Sequence, residues 1–414
     1  MVRRSRLGGN FARLWTAGAI SNLGDGVVLA ALPLLAASIS HSPTTVALVA
    51  TAGALPWLLF SLVGGAIADR TDRRRTMSIV DTFRFAAMAL LGFALVTDVE
   101  SIPLLVIVSF SLGMAETVFD NASQAILPSL VADDELQTAN GRLEGAQIVA
   151  NQFVGPPLGA FLFGVAVAAP FFLDAVSFAA AAALVLGLRG SFRPSRDETV
   201  RPTVRADIAE GLRWLFRHRI LRSLALALGV MNLVGMAAMT ILVLYAKDVL
   251  HLTDTQFGLL LTAEAAGAVL GSSMASRIAK RLGDGTTLSL AVVVAAASML
   301  VPGFWAQPVA VAASLAVGGF AGLVWNILTV SMRQSLVPDE LLGRVNSAYR
   351  MLGWGTMPIG AISGGLIASA FGLRAPFVFA GTSALLLAAW ISTRVTNRSI
   401  RRARQRAAQD GGIK

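Results

Sequence analysis

Asp25 stands midway along an apolar run, Phe11–Ile39, with Asn22 three residues earlier on the same helical face. Glu116 and Asp120 stand four residues apart in a second run, Ile102–Leu127, with Asn121 beside them and Gln124 one turn further on. Glu264 stands in a third, Thr255–Ile278. An ionisable side chain at the centre of hydrocarbon costs roughly 2.5–3.5 kcal/mol on insertion scales, so its presence there points to function. Two carboxylates on one helical face compete for ionisation in a low dielectric, and reversible proton binding is the chemistry such a pair performs. Asp25, Glu116, Asp120 and Glu264 are therefore the candidate proton-binding groups.

Other chemistries lack their residues. The 414-residue chain has no cysteine, which excludes disulfides, thiolate metal sites and cysteine nucleophiles. His41, His218 and His251 fall in loops or a linker and form no metal-ligand cluster. With no nucleophile, metal cluster or phosphate loop, the sequence does not read as an enzyme, and no cofactor is expected. The net charge of +10 is confined to short segments between apolar runs. That distribution points to membrane topology rather than to a nucleic-acid partner.

The elements that must carry these acids follow from composition. The chain is 55% hydrophobic and 14% charged, with a mean hydropathy of +0.68; a soluble domain carries about 25% charged residues. A membrane span needs about 20 apolar residues, and twelve runs of that kind are legible. Six are Phe11–Ile39, Thr45–Ala68, Met77–Thr97, Ile102–Leu127, Ala139–Val165 and Pro170–Leu188. The others are Leu221–Tyr245, Thr255–Ile278, Thr286–Trp305, Val309–Met332, Val345–Phe371 and Leu373–Thr393. Lysine and arginine gather in alternate connections, Arg333 among them, and only Lys247 and Arg374 fall in the opposite set. Both termini and the central loop are thus expected in the cytoplasm. No arginine is expected at depth to bind an anion. Arg84 and Arg350 lie about two turns from the basic ends, and Arg84, three residues after Asp81, reads as a salt-bridge partner.

The chain also repeats itself. GGAIADR at Gly64–Arg70 has a faded copy, GSSMASR, 207 residues later at Gly271–Arg277. Ser129-Leu-Val131 with Asn140 recurs 206 residues later as Ser335-Leu-Val337 with Asn346. Parallel six-span halves characterise a large class of secondary transporters whose site lies near the midplane between the halves. The expected organisation is an N-terminal six-helix bundle (1–188), a cytoplasmic linker (189–220), a C-terminal six-helix bundle (221–394) and a basic cytoplasmic tail (395–414). Within the linker, Ile208, Leu212 and Leu215 share one face of a basic amphipathic helix, which is expected to lie on the inner leaflet.

The segment GAIADRTDRR, Gly65–Arg74, resembles the loop 2–3 motif of the major facilitator superfamily, with Asp72 where the family usually has a second glycine. The resemblance implies that Gly65 permits close helix approach. It also implies that Asp69, Arg70, Arg73 and Arg74 form a charge cluster latching the two halves; a purely topogenic role for the arginines stays open. Gly155-Pro156-Pro157-Leu-Gly159 resembles a glycine-proline motif of antiporters, with Asn151 in place of an upstream glycine. Pro156 and Pro157 remove backbone donors and bend the helix, and Gly155 and Gly159 form a small-xxx-small face. The block from Phe119 to Pro128 resembles the branch of macrolide-efflux and enterobactin-export proteins.

This resemblance covers essentially the whole chain and implies an all-α integral membrane fold, twelve transmembrane helices in two pseudo-symmetric six-helix bundles. In the superfamily spans 1, 4, 7 and 10 line a central cavity, which makes Asn22, Asn121, Asn232 and Asn326 candidate lining groups. Trp325 and Trp354 either stack a substrate or pack. The expected function is secondary active transport in the bacterial plasma membrane. An amphipathic small molecule (a drug-like compound, macrolide or siderophore) leaves by alternating access in exchange for protons. A proton-coupled or facilitative importer of a small metabolite is the alternative, and sodium coupling stays open. Expected partners are the substrate, protons and the lipid bilayer, with the chain acting as a monomer.

Overall fold

A computed structural model describes residues 7–68, 71–190, 192 and 204–411, and every regular element among them is helical. Among these residues, twelve helices are long and apolar enough to cross a membrane. Spans 1–6 are Gly9–Ile39, Pro43–Phe60, Arg73–Val96, Ile102–Ser129, Leu136–Val165 and Ala169–Leu186. Spans 7–12 are Arg219–Val249, Asp254–Leu282, Asp284–Phe304, Pro308–Leu336, Leu341–Phe371 and Ala375–Arg394. Two further helices, Val204–Arg217 and Asn397–Gly411, form the linker and tail.

Local chemistry starts and distorts these helices. Proline occupies the first turn of spans 4, 6, 10 and 12, where its missing N–H has no partner to lose. Asp72, the departure from the family glycine, caps span 3 by accepting a hydrogen bond from the Arg75 amide at 3.2 Å. His218 caps span 7 in the same way, its Nδ1 accepting from the Leu221 amide at 3.3 Å. Span 5 is α-helical over Leu136–Gln147, π-helical over Ile148–Val154 and α-helical again over Gly155–Val165. Pro156 and Pro157 leave carbonyls one turn upstream without α-helical donors, and the backbone there takes the wider pitch rather than a simple bend.

Two compact units emerge. The first is Met1–His41, Leu48–Glu198 and Leu252–Thr262; the second is Ser42–Ala47, Thr199–His251 and Ala263–Lys414. In the first, span 1 packs on spans 5 and 6, and span 3 on spans 4 and 6. In the second, span 7 packs on spans 11 and 12, and span 9 on spans 10 and 12. The two packing schemes coincide when each span is advanced by six.

The repeat extends to close helix crossings. A Cβ on Gly155 would overlap the Gly26 backbone, and one on Gly159 would overlap the Val27 carbonyl. In the second unit, Gly360 and Gly364, each 205 residues further on, stand equally close to the backbones of Leu233 and Ala237. Only glycine lets these helix backbones meet.

The linker helix packs against protein on part of its apolar face. Leu215 is fully buried, and Leu212 and Trp214 pack into the core of the second unit with Val345 and Ala348. Arg344 pairs with Glu210 at 2.8 Å and helps hold the helix there. Leu212 and Leu215 are therefore covered by span 11, while the side chain of Ile208 lies outside the described residues.

Candidate functional site

Spans 1, 3, 4 and 6 of the first unit bring charge together around one arginine. Arg84 is 2% exposed, about 17 Å along span 3 at 1.5 Å per residue. Its guanidinium carbon lies 5.2 Å from the Phe119 ring centroid and 5.1 Å from that of Phe178. Such faces attract a desolvated cation. The expectation that no arginine lies at depth is thus corrected: aromatic rings and acids make burial of Arg84 tolerable.

The pairing with Asp81 is loose. Arg84 Nη1 and Asp81 Oδ1 are 3.9 Å apart, too far for a hydrogen bond. Asp81 is fully buried, and neither of its carboxylate oxygens has a hydrogen-bond partner among the described residues. Asp25, Glu116 and Asp120 also lie within electrostatic reach of Arg84. Three of the four candidate acids therefore lie near one arginine, while Glu264 belongs to the second unit.

Asp174, on span 6, joins the same cluster. It is 1% exposed, it interacts electrostatically with Asp25, Arg84 and Asp81, and its Oδ1 accepts from Ser177 Oγ at 3.2 Å. A Cβ on Gly24 would overlap that carboxyl and the Ser177 hydroxyl, so the group rests on span 1 one residue from Asp25. Asp25 itself is only half-buried. Sequence reasoning passed over Asp174, yet the signal was there: a carboxylate inside the apolar run Pro170–Leu188.

The remaining candidates are placed as follows. Asn22 and Asn121 each donate to the carbonyl four residues back, Gly18 and Thr117, both at 2.7 Å. Asn232 donates to the Gly353 carbonyl at 2.9 Å and ties span 7 to span 11. Asn326 is exposed. Trp325 is 7% exposed within the apolar core of the second unit, its indole N–H lacking a hydrogen-bond partner among the described residues. Trp354 lies under Arg350, 4.4 Å from ring centroid to guanidinium. Of the loop 2–3 motif, Asp69, Arg70 and the surroundings of Gly65 lie outside the described residues. Arg74 donates to the Leu188 carbonyl at 2.8 Å, and the Arg73 amide to that of Phe192 at 3.4 Å.

Arg333 needs a second correction. It reads as a basic loop residue, but it is 8% exposed, stacks 3.9 Å over the Tyr349 ring and donates to Asn346 Oδ1 at 3.0 Å. Tyr349 in turn donates to the Leu224 carbonyl at 3.3 Å. Span 10 runs on past the expected boundary and carries the arginine under span 11.

The family profile described as transmembrane secretion effector matches residues 7–410. Multidrug efflux pump Tap of Mycolicibacterium fortuitum is 29% identical over 392 residues, 91% of this chain and 92% of that protein. Macrolide efflux protein A of Streptococcus pyogenes is 21% identical over 381 residues, 91% of this chain and 94% of that protein. Among solved structures, a bacterial homologue of the iron transporter ferroportin superposes with a TM-score of 0.74 at 18% identity, covering 93% of this chain and 99% of that one. The nucleoside transporter NupG superposes with a TM-score of 0.71 at 12% identity, covering 94% and 99%. At such identities the structures speak for the fold alone. Matched over nearly its whole length, the chain belongs to the transmembrane secretion effector family, multi-pass transporters of the major facilitator superfamily rather than enzymes.

Proposed function

We propose that the protein exports amphipathic, neutral or cationic small molecules across the bacterial plasma membrane in exchange for protons, with both termini in the cytoplasm. The observation that carries this reading is the group of acids around the buried Arg84, with half-buried Asp25 as its water-reachable member. The relatives named for multidrug and macrolide efflux support export and this substrate class. Facing the cytoplasm, Asp25 gives up its proton, and the negative charge favours a cationic or polarisable substrate. Facing outward, it takes a proton and the substrate leaves. Such coupling needs a different proton affinity in the two states.

Glu116, Asp120 and Glu264 are proposed as accessory acids, and Asn22, Asn121, Asn232, Asn326 and Trp354 as substrate-facing groups; Trp325, buried in the core of the second unit, takes the packing role. Gly65, Asp69, Arg70, Arg73 and Arg74 are proposed as the latch between halves. Asp69→Asn should abolish transport while membrane insertion stays normal; unchanged transport assigns these arginines to topology.

The primary test is ethidium movement in proteoliposomes under an imposed pH gradient. The wild type should move ethidium against the proton flow, and Asp25→Asn should lower that rate at least tenfold. A rate indifferent to the gradient overturns proton coupling. Movement in the same direction as the protons overturns export and favours the importer.

A further inference from the structure

We propose that Asp174 is a second proton-binding carboxylate, linked to Asp25 because the two compete for the single guanidinium of Arg84. The inference rests on the proton-coupled reading above but assigns the work to a residue outside the loop motif, the glycine-proline motif and the set of accessory acids.

Three observations carry it. First, Asp25, Asp81, Arg84 and Asp174 occupy one layer. Arg13 donates to the Gly187 carbonyl and Arg74 to that of Leu188, so one end of spans 1, 3 and 6 is level. Counting from that end at 1.5 Å per residue, Asp25, Asp174 and Arg84 lie about 15–21 Å deep, with Asp81 one turn shallower than Arg84. Second, among the described residues the layer holds more acid than base. One guanidinium, wedged between Phe119 and Phe178, faces three carboxylates, two of them buried. A buried carboxylate without a counter-ion is tolerated when it carries a proton. Third, Arg84 is committed to none of them, since its closest approach to a carboxylate among the described residues is 3.9 Å, to Asp81.

The charged groups facing Asp174 are Asp25 from span 1 and Asp81 and Arg84 from span 3; Ser177 is its hydroxyl neighbour. The segment of span 5 over Gly155–Val165 brings no titratable side chain. Glu116 and Asp120 reach the cluster through Arg84.

The exchange balances as follows. In one state the Asp25 carboxylate draws Arg84, and the proton sits on a carboxyl oxygen of Asp174. In the other, that proton has moved to a carboxyl oxygen of Asp25, and the Asp174 carboxylate draws Arg84. Asp25, the half-buried member, trades the proton with water. Arg84 moves its pairing, not its position.

Infrared difference spectroscopy of the whole protein in lipid, as a function of pH, tests this directly. A component of the protonated-carboxyl band present in the wild type should be missing in Asp174→Asn. In Asp25→Asn the midpoint of the same band should be displaced by about one pH unit or more, as for coupled groups. Ser177→Ala, which leaves the carboxyl in place, should also displace the midpoint, a change a merely structural Asp174 would not show. In proteoliposomes Asp174→Asn should lose at least tenfold in gradient-driven ethidium transport while ethidium counterflow stays within twofold. A band unaltered in Asp174→Asn overturns the proposal, and so does an Asp174 midpoint that ignores Asp25→Asn. If Asp174→Asn fails to fold, the midpoints in Ser177→Ala and Asp25→Asn decide. A wild type that ignores the pH gradient overturns proton coupling, while the band still decides whether Asp174 binds the proton.

Discussion

The two six-span units share a packing scheme and differ in what they do with polar groups. The first gathers Asp25, Asp81, Asp174, Glu116 and Asp120 around one buried arginine. The second spends its polar groups on joints between helices. Asn232 bonds to Gly353, Thr356 to Gly229 at 2.9 Å, Tyr245 to Pro302 at 2.7 Å, and its buried Arg333 meets an amide and a phenol rather than a carboxylate. Both halves retain the glycine crossings, Gly155 and Gly159 in one, Gly360 and Gly364 in the other. Packing is what the repeat kept; charge is where its copies parted.

Removing each buried arginine should break this comparison most visibly. Arg84→Ala strands buried carboxylates and should cost about 3–5 kcal/mol, as for a buried pair stripped of one partner. Arg333→Ala strands no acid and should cost about 1–2 kcal/mol, the worth of a stacking contact and a hydrogen bond. Thermal unfolding in detergent measures both, and equal losses would erase the proposed division of labour. Next in size are Gly159→Val and Gly364→Val. Each forces a side chain into a backbone contact and should destabilise by about 1–3 kcal/mol, to a similar extent in the two units. A large inequality would show that the crossings are not equivalent.

Smaller effects sharpen the contrast. Asn232→Leu removes one interhelical hydrogen bond and should cost about 1 kcal/mol while leaving the pH response of transport intact. Loss of that response would place the coupling chemistry in the second unit as well. The smallest effect concerns His218, which lies outside the spans. Burial pushes its imidazole below the ordinary histidine value, a backbone hydrogen bond opposing this only in part. The neutral ring is the form the fold prefers, because Nδ1 must accept from Leu221. Its contribution is therefore present above the unfolded histidine value of about 6.5 and is lost as pH falls through the lowered folded value. Hydrogen exchange in the linker helix should quicken at mildly acidic pH, and His218→Asn should flatten that response.

The fold was legible because lipid demands long apolar helices, and twelve such runs are hard to hide. The two-unit repeat was legible from GGAIADR and its copy, and the 205-residue spacing of Gly155 and Gly159 to Gly360 and Gly364 was there to be read as well. The site was legible only in part. Asp25, Glu116 and Asp120 declared themselves by sitting in apolar sequence. Arg84 was misjudged because distance along one helix says nothing about what the neighbouring helices place beside it, here Phe119 and Phe178. The linker helix was legible only in part for a related reason. An amphipathic face states that it needs cover, not whether lipid or Val345 and Ala348 will provide it.

The loose partnership of Asp81 and Arg84 has a consequence for how the chain is made. Span 3 leaves the ribosome before spans 4 and 6, which carry the two aromatic rings that later enclose the guanidinium. In that interval the arginine can draw on Asp25 of the earlier span 1 and, on its own helix, on Asp81 one turn away. An opposite charge at that spacing reduces the penalty of handing the helix to lipid. Once the later helices arrive, the escort is no longer required, and a cation delivered in this way is left unclaimed among several acids.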